Sequence, residues 1–340
     1  MKTDWLMMMS NQRITLNKNP FVRCIAFSLL VFLGLWTVQH FWLIGLRRYR
    51  TLDLGTLNKV ISGNVNADIL VVGSSRAQHG FDPRIISRQT KKSVYNIGLD
   101  GTQIDLQAAL FFTYLRHNRK PEFLILSLDV HNLSSTRDRD IYHSGLYMAD
   151  LDEPDLFPAM KRRNAEWTLY KFFPLIGIAT YASPLTSGNE QLRYEATRGL
   201  FRRELPETLF NGFAPVEHKW TTEFDEYKKQ HPNGVSYEFD HENIQIIRTV
   251  LKRCQNLGIN VVLVYSPEYF ENQTLTTNRH EIFSIYRGLA KEFGIPLWDY
   301  SDSDLSHDKA NFYNSQHLNA PGAKRFSEDL ALRVQTSYQP

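Results

Sequence analysis

An apolar run that ends in a glycine and two serines constrains the fold of this chain more than any other feature. The run is Ile69–Val72, and Gly73-Ser74-Ser75-Arg76 follows it directly. A short apolar run bounded by a turn signal is typical of a buried strand in a parallel sheet. Ligands of open parallel sheets collect at the carboxyl ends of the strands, where these serines would lie. Such a serine can cap the following helix, or it can act as a nucleophile if a base lies within reach.

Strand and helix patterns alternate on both sides of a long central segment. Further strands are predicted at residues 93–97, 122–128, 259–265 and 295–298. The βαβαβ order of the first half implies a parallel sheet that is covered by helices through right-handed crossovers. Residues 133–238 have no strand periodicity and many aromatic residues, which predicts a large, mostly helical insertion. We therefore expect one α/β domain over residues 67–340.

The N-terminal part contains a second apolar run, residues 24–46, which has no acidic residue, lysine or arginine. As a helix, a run of this length is sufficient to cross a hydrocarbon core about 30 Å thick. A cleaved signal peptide fits less well because arginines, not small residues, follow the run. A buried helix of a soluble domain is another alternative, although no polar face is visible. The run predicts a transmembrane anchor at 24–46, preceded by a tail at 1–23 and followed by a linker at 47–66.

Composition narrows the classes of function. The apolar content of 42% and charged content of 22% are typical of a globular protein. The net charge is only +3, and the basic residues are scattered, so we expect no nucleic-acid partner. The two cysteines, Cys24 and Cys254, form no zinc-binding pattern, and we expect neither a metal nor another cofactor. The basic residues on the two sides of the apolar run are nearly equal in number, so charge does not set the orientation of the anchor.

Three features fall at predicted strand ends, and a fourth lies just before the last predicted helix. They are Gly73-Ser74-Ser75, Gly98, Asp129-Val130-His131-Asn132 and His317. Brought to one edge of the sheet, they would supply a nucleophile, a backbone donor, a polar side chain and a base. Acyl transfer at an ester needs this set of groups. On its own, His317 could have only a structural role, and Gly98 could be required only for a turn.

Three sequence blocks resemble one known superfamily. The blocks are Gly73-Ser74-Ser75-Arg76, Asn96-Ile97-Gly98, and the segment from Phe312 to Asn319 with Gly322-Ala323. The chain resembles the SGNH (GDSL-like) hydrolases over residues 66–132 and 240–335. Within that superfamily it is most similar to the membrane-anchored branch related to bacterial polysaccharide O-acetylation and teichoic-acid D-alanylation proteins. The resemblance implies a three-layer, flavodoxin-like fold.

The resemblance also implies roles for individual residues. Ser75 would be the nucleophile and His317 the base, and the backbone N–H groups of Ser75 and Gly98 would contribute to the oxyanion hole. The third oxyanion donor would be a side chain after the third strand, for which we choose Asn132 over His131. Arg76 would contact an anionic or carbohydrate substrate, or alternatively form a salt bridge at the start of the helix.

One position departs from the pattern of the superfamily. An aspartate usually lies three residues before the histidine and orients its ring, but this chain has Asn314 there. Asparagine can hold the ring through a hydrogen bond but supplies no compensating charge. Replacing the acid of a serine triad can cost about 10⁴ in rate when the wrong tautomer results. Asp302, Asp304 or Asp308 could substitute for the missing acid.

These observations lead to one main hypothesis and two alternatives. The main hypothesis is a membrane-anchored esterase or O-acyltransferase of the bacterial inner membrane, with its domain in the periplasm. It would act on a cell-envelope polysaccharide or other acyl ester through a Ser75 acyl-enzyme, with a membrane acyltransferase as a partner. Because of Asn314, an inactive relative that binds glycan or scaffolds an envelope assembly is the first alternative. A lipid esterase acting at the bilayer is the second.

Overall fold

The computed structural model describes residues 20–136, 141–173, 176, 188–202, 209–218 and 220–337. Its α-helices are α1 Pro20–Arg48, α2 Leu52–Ile61, α3 Ser75–Gly80, α4 Pro83–Thr90, α5 Ile104–His117, α6 Leu156–Arg163, α7 Trp167–Phe172, α8 Gly188–Phe201, α9 Glu223–Gln230, α10 His241–Leu257, α11 Phe270–Leu275, α12 Arg279–Phe293 and α13 Ala320–Ser337. Its strands are β1 Ile69–Val72, β2 Val94–Asn96, β3 Phe123–Leu128, β4 Asn260–Tyr265 and β5 Leu297–Asp299. Short 3₁₀ helices include Val130–Leu133 and Ser144–Asp150.

The five strands form one parallel sheet in the order β2-β1-β3-β4-β5. This is the strand order of the flavodoxin-like doubly wound fold, so the predicted fold class is confirmed. Strands β3 and β4 pair along six residues, from Phe123 opposite Asn260 to Leu128 opposite Tyr265. The two alternating halves of the sequence therefore complete one sheet, with the insertion between these two central strands.

Helices cover both faces of the sheet because successive strand residues point to opposite sides. In β1, Leu70 and Val72 belong to one buried cluster, whereas Ile69 and Val71 belong to the other. Helices α5, α10 and α12 pack on the first face, and α3, α4 and α13 pack on the second. Both faces are buried, which explains why the strands read as continuous apolar runs and not as alternating ones.

The segment predicted as a linker, residues 47–66, contains the buried helix α2. Leu54, Leu57 and Val60 recur at helical spacing and are fully buried in the core. Helix α2 is short, with Asp53 in its first turn and Lys59 in its last. The chain therefore passes from α1 into the domain through packed structure.

The described part of the insertion is mostly helical, as predicted, with the short helices α6, α7 and α9 and the 14-residue helix α8. Its aromatic residues lie both in the core and on the surface: Trp167, Tyr170, Phe213 and Phe224 are buried, and Phe172, Phe173, Phe201 and Phe210 are exposed. Tyr181, another aromatic residue of this stretch, lies outside the described residues. The buried aromatic side chains give the insertion its contacts with the rest of the domain.

Candidate functional site

The two adjacent serines after β1 have different partners. Ser74 caps helix α3, because its hydroxyl oxygen accepts a hydrogen bond from the N–H of Arg76 at 3.3 Å. The same hydroxyl donates to Oδ2 of Asp129 at 2.9 Å. The capping role therefore belongs to Ser74, and the side chain of Ser75, which is partly exposed, is available for chemistry.

His317 lies beside Ser75, with its Nε2 2.7 Å from Oγ of Ser75. The two residues come from opposite ends of the sequence and meet at the carboxyl edge of the sheet. His317 is held in a tight turn that is closed by a bridge between Phe312 and Leu318. The structure thus brings together the predicted nucleophile and the predicted base within hydrogen-bond distance.

Asn314 takes the position that a triad aspartate would occupy. Its Oδ1 lies 2.9 Å from Nδ1 of His317 and also accepts the backbone N–H groups of Gln316 and His317, each at 3.0 Å. Two backbone donors identify this atom as the amide oxygen, since the amide nitrogen could not accept them. Nδ1 of His317 must therefore carry a proton, which leaves Nε2 free to accept the proton of Ser75.

The environment of His317 favours its neutral form. Its pKa is lowered to about 3, mainly by burial, with smaller contributions from the positive charges of His79 and Arg76 and from His131. The carboxylate of Asp100 opposes this shift but does not cancel it. The ring is therefore neutral and can accept a proton, but among the described residues no carboxylate is hydrogen-bonded to the imidazolium that forms.

His79 is a second histidine beside the site, and sequence reasoning missed it. Its Nδ1 lies 2.8 Å from the carbonyl oxygen of Ala214, and its Nε2 lies 2.9 Å from Oδ1 of Asp100. Although burial alone lowers the pKa of His79, the hydrogen bond and charge of Asp100 raise it above the ordinary value. Both ring nitrogens face oxygen acceptors, so His79 is an imidazolium ion paired with Asp100.

This pair lies next to the catalytic candidates. The ring centroids of His79 and His317 are 6.1 Å apart, and Tyr313 stacks on His317 at 5.3 Å. The only sequence signal for His79 was its position four residues after Ser75, which places both on one face of a helix. Asp100 lies two residues after Gly98, at the end of a strand.

The three aspartates of the preceding loop do not contact His317. Asp302 lies 3.6 Å from His307, and Asp308 accepts the N–H of Ala310 at 2.9 Å, while Asp304 begins a 3₁₀ helix. Within the described part of the chain, Asn314 is the hydrogen-bond partner of Nδ1 of His317. The substitution of an aspartate from this loop for the missing acid is therefore not supported.

Two of the three predicted oxyanion donors are already engaged. The N–H of Gly98 donates to Oδ1 of Asn96 at 2.9 Å. Asn132 is fully buried, and with its amide nitrogen turned towards Asp129 it donates to both carboxylate oxygens, at 2.9 and 3.1 Å. The backbone N–H of Ser75 has no hydrogen-bond partner among the described residues. The oxyanion roles of Gly98 and Asn132 stay predictions, and each requires an existing bond to be given up.

Packing gives a sufficient reason for the glycine at position 98. A Cβ atom there would lie 2.7 Å from Cβ of Ala77 and 2.9 Å from the backbone nitrogen of Gln78. Both of these residues belong to α3, the helix that begins at Ser75. Gly98 therefore allows the strand-end loop to approach the nucleophile helix closely.

The substrate-binding role of Arg76 is not supported by its surroundings. Its side chain is 4% exposed and lies 3.4 Å from Oε2 of Glu268, which is itself 1% exposed. It also donates to the carbonyl oxygen of Ser266 and lies over the ring of Tyr265. The guanidinium of Arg76 makes its hydrogen bonds within this buried network and therefore has little contact with solvent. Its alternative role, a salt bridge at the start of the helix, is the one that the structure shows.

No protein-family model matches the chain, and no curated protein matches it. One similar solved structure is a protein described as lipolytic and of the G-D-S-L family from Desulfitobacterium hafniense DCB-2. It is 12% identical, with a TM-score of 0.38, over 78% of this chain and 97% of that chain. Another is described as an acylhydrolase from Bacteroides fragilis NCTC 9343, 11% identical with a TM-score of 0.35, over 78% and 87%.

Likenesses of this size carry no argument about this chain, and the chemistry of its site is inferred from its own geometry alone.

Proposed function

We propose that this protein is a membrane-anchored SGNH-type esterase or O-acyltransferase that works through an acyl-enzyme on Ser75. The observation that supports it most is the chain of hydrogen bonds from Ser75 through His317 to Asn314, with distances of 2.7 and 2.9 Å. This geometry has the proton acceptor, Nε2, on the side of the hydroxyl. It needs neither a metal nor a cofactor.

The reaction would proceed in two steps. Ser75 Oγ attacks the ester carbonyl while its proton passes to Nε2 of His317, and the imidazolium then protonates the departing alkoxide. In the second step Nε2 accepts the proton of water or of a sugar hydroxyl, whose oxygen attacks the acyl-enzyme carbonyl. The imidazolium then gives this proton to Oγ of Ser75 as the bond between Oγ and the acyl group breaks. Transfer to water gives an esterase, and transfer to a sugar gives an O-acyltransferase.

A cell-envelope polysaccharide is the proposed substrate. Tyr142 is 52% exposed and lies against Gly101, next to Asp100 at the rim of the site. An exposed aromatic ring beside a carboxylate suits a sugar, because the ring offers an apolar face and the carboxylate accepts hydrogen bonds from hydroxyl groups. A membrane acyltransferase that supplies the acyl group is the proposed partner.

The membrane location is also part of the proposal. Helix α1 is long and apolar enough to cross a bilayer, with a mean hydropathy of 2.1 over its most apolar window. We place the domain in the periplasm of a bacterial inner membrane, where envelope polysaccharides are accessible. A reporter that is active only in the cytoplasm can be fused after residue 340. Activity of this fusion would refute the orientation.

Turnover of a soluble acetyl ester by the purified full-length protein tests the proposed chemistry. Wild type should release acetate, and Ser75→Ala should reduce the rate to the background. Ser74→Ala is the matched control, because it removes the neighbouring hydroxyl, which caps α3 and donates to Asp129, and leaves Ser75 in place. Loss of the cap alone costs about 1 kcal/mol in stability. Activity that survives in Ser75→Ala would refute the nucleophile.

A second candidate function has its own supporting observation. The partner of Nδ1 of His317 is the amide of Asn314 and not a carboxylate, and this and the low pKa of the ring both favour a protein that binds glycan without turning it over. In that case folded wild type would bind acetylated envelope glycan while neither wild type nor any variant hydrolysed the acetyl ester.

A further inference from the structure

A buried carboxylate lies behind the two candidate catalytic residues, and the chemistry proposed above does not use it. Glu268 follows the last residue of β4 by three positions, and its side chain is 1% exposed. A charge that is removed from water is costly unless it is paired and hydrogen-bonded. The partners of Glu268 therefore show which parts of the domain it joins.

Four donors from four different elements meet on this carboxylate. Oε1 accepts hydrogen bonds from the hydroxyl of Tyr265 in β4, at 2.7 Å, and from Nη1 of Arg279 in α12, at 2.6 Å. Oε2 accepts hydrogen bonds from the side-chain amide of Asn272 in α11, at 3.1 Å, and from Nη1 of Arg76 in α3, at 3.4 Å. An ionised carboxylate offers about four acceptor positions, so these donors fill it.

One branch of this network reaches the helix of the candidate nucleophile. Arg76 directly follows Ser75 at the start of α3, and its side chain is 4% exposed. Besides Glu268, its guanidinium contacts Oγ of Ser266, at 3.2 Å, and the carbonyl oxygens of Ser266 and Pro267. The loop after β4, residues 266–269, therefore holds the first turn of α3 in place.

The other branch reaches the turn that carries His317. The amide nitrogen of Asn272 donates to Glu268, and its Oδ1 accepts the hydroxyl of Ser315 at 3.1 Å. Because a carboxylate can only accept, the amide nitrogen must face Glu268, which leaves the amide oxygen for Ser315. Ser315 is buried and lies between Asn314 and His317 in the chain.

A backbone hydrogen bond joins the same two segments. The N–H of Tyr269, the residue after Glu268, donates to the carbonyl oxygen of Ser315 at 2.9 Å. The side chain of Gln273 in turn donates to the carbonyl oxygen of Glu268 at 3.1 Å. The loop after β4 thus contacts the histidine turn through its backbone and, by way of Asn272, through its carboxylate. A displacement of this loop would move the turn.

The distance that matters for proton transfer is the 2.7 Å between Oγ of Ser75 and Nε2 of His317. These residues are 242 positions apart in the chain, so their separation depends on tertiary contacts. A misplacement of about 1 Å can cost about 10²-fold in rate. A buried carboxylate that is joined to both sides is suited to fix this distance.

We propose that Glu268 is a positioning residue, which holds the nucleophile helix and the histidine turn at the distance needed for proton transfer. It acts on Ser75 through Arg76, and on His317 through the contacts of Asn272. The effect on turnover rests on the proposed function, whereas the effect on the placement of His317 does not.

Glu268→Asp tests this inference with little change in charge. The shorter side chain keeps a carboxylate beside the two arginines, but it is one methylene group too short to hold both branches in their present positions. The matched control is Glu271→Asp, because the neighbouring Glu271 also binds a cation and a tyrosine hydroxyl, those of Lys228 and Tyr269.

Ser315→Ala is a second, milder variant that breaks only the branch to the histidine turn. It removes a single hydroxyl, so it tests the inference even where Glu268→Asp does not fold. Its matched control is Ser306→Ala, which also removes a buried serine hydroxyl, one that contacts Tyr300 and Ser303 instead.

Turnover of a soluble acetyl ester by the full-length proteins is the first readout. We expect kcat to fall roughly tenfold or more in Glu268→Asp and about threefold or more in Ser315→Ala, with KM nearly unchanged, because positioning acts on the reacting atoms. Both controls should keep the kcat of wild type. An unchanged kcat in Glu268→Asp would overturn the inference, whereas a wild type that hydrolyses no ester would overturn the proposed function.

Modification by diethyl pyrocarbonate is a second readout, and it needs no turnover. The reagent acylates an imidazole nitrogen that has a free electron pair. In His317, Nδ1 carries a proton and the electron pair of Nε2 faces the hydroxyl of Ser75. His307, whose side chain is 54% exposed, is the reference within the same chain. Peptide mapping by mass spectrometry gives the rate of modification at each histidine.

We expect the rate at His317, relative to that at His307, to rise severalfold in Glu268→Asp and in Ser315→Ala and to stay at the wild-type value in both controls. The double variant should show no further rise over the larger single effect, because both changes break one path. A wild-type ratio in Glu268→Asp, or two independent rises that multiply in the double variant, would overturn the inference whatever the catalytic activity.

Discussion

Replacing Asn314 with aspartate would add a full negative charge beside Nδ1 of His317. The position is suited to a carboxylate, because two backbone N–H groups already point at Oδ1 of Asn314. Those donors would hold the new carboxylate ionised and in place. The hydrogen bond to Nδ1, 2.9 Å long, would be retained. The variant therefore tests the contribution of charge while the tautomer of His317 stays the same.

When a serine triad loses its acid and its histidine takes the wrong tautomer, the rate falls by about 10⁴. The gain in rate that we expect from Asn314→Asp is smaller than this loss. Here Asn314 already fixes the productive tautomer, so only the charge is missing. Two unit charges about 4 Å apart at an effective dielectric constant near 20 interact by about 4 kcal/mol. Desolvation of the carboxylate, which is half-buried in this turn, reduces that value. We expect roughly 10- to 100-fold in kcat, or about 1.4 to 2.8 kcal/mol.

Steady-state hydrolysis of a soluble acetyl ester across pH measures this gain. The new charge should also raise the pKa of His317 from about 3, so the acid limb of the profile should move towards neutral pH. Asn64→Asp, at an exposed position, adds the same charge far from the site and should change neither quantity. An unchanged rate in Asn314→Asp would refute the role of His317 as the base. A gain near 10⁴ would refute the assigned tautomer.

Three further predictions concern charge. Because the pKa of His317 lies near 3, kcat/KM of the folded wild type should stay level down to about pH 4, and a fall centred near pH 6.5 would contradict this. His79→Gln removes one positive charge that lowers the pKa of His317, so the acid limb of the profile of kcat/KM against pH should move to higher pH. An acid limb at the same pH as in wild type would show that the charge of His79 does not lower this pKa. Arg76→Met leaves the buried Glu268 with fewer partners, so urea titration should show a loss of about 3–5 kcal/mol in the free energy of unfolding, partly recovered in the double variant with Glu268→Gln. Equal stability of Arg76→Met and wild type would contradict the role of the buried pair.

Strands were predicted well because their signal is local. Each buried parallel strand is a short apolar run that ends at a turn, and this pattern placed β1, β3 and β4 within a residue or two of their observed bounds. Helix α2 was missed as an element because it has only 10 residues, too few for a long run of apolar spacing. Sequence also suggested that Ser75 and His317 would meet, since both lie at the carboxyl edge of a sheet.

The partners of polar side chains could not be predicted in the same way. Whether Arg76 faces substrate or Glu268 depends on where α3 packs against the loop after β4, which no local pattern encodes. The N–H of Gly98 is bonded to Asn96, two residues earlier, and this depends on the close approach of α3. The ion pair of His79 with Asp100 likewise joins helix α3 to the loop after β2, and these two elements are adjacent only in the folded domain.

The central claim is that Ser75 is a nucleophile activated by His317. Peptide mapping by mass spectrometry after reaction of the full-length protein with a fluorophosphonate tests it most directly. The phosphonyl group should be found on the peptide that carries Ser75, should persist in Ser74→Ala, and should be lost in Ser75→Ala and in His317→Ala. A folded wild type that never reacts, or a label that remains when Ser75 is replaced, would contradict the claim.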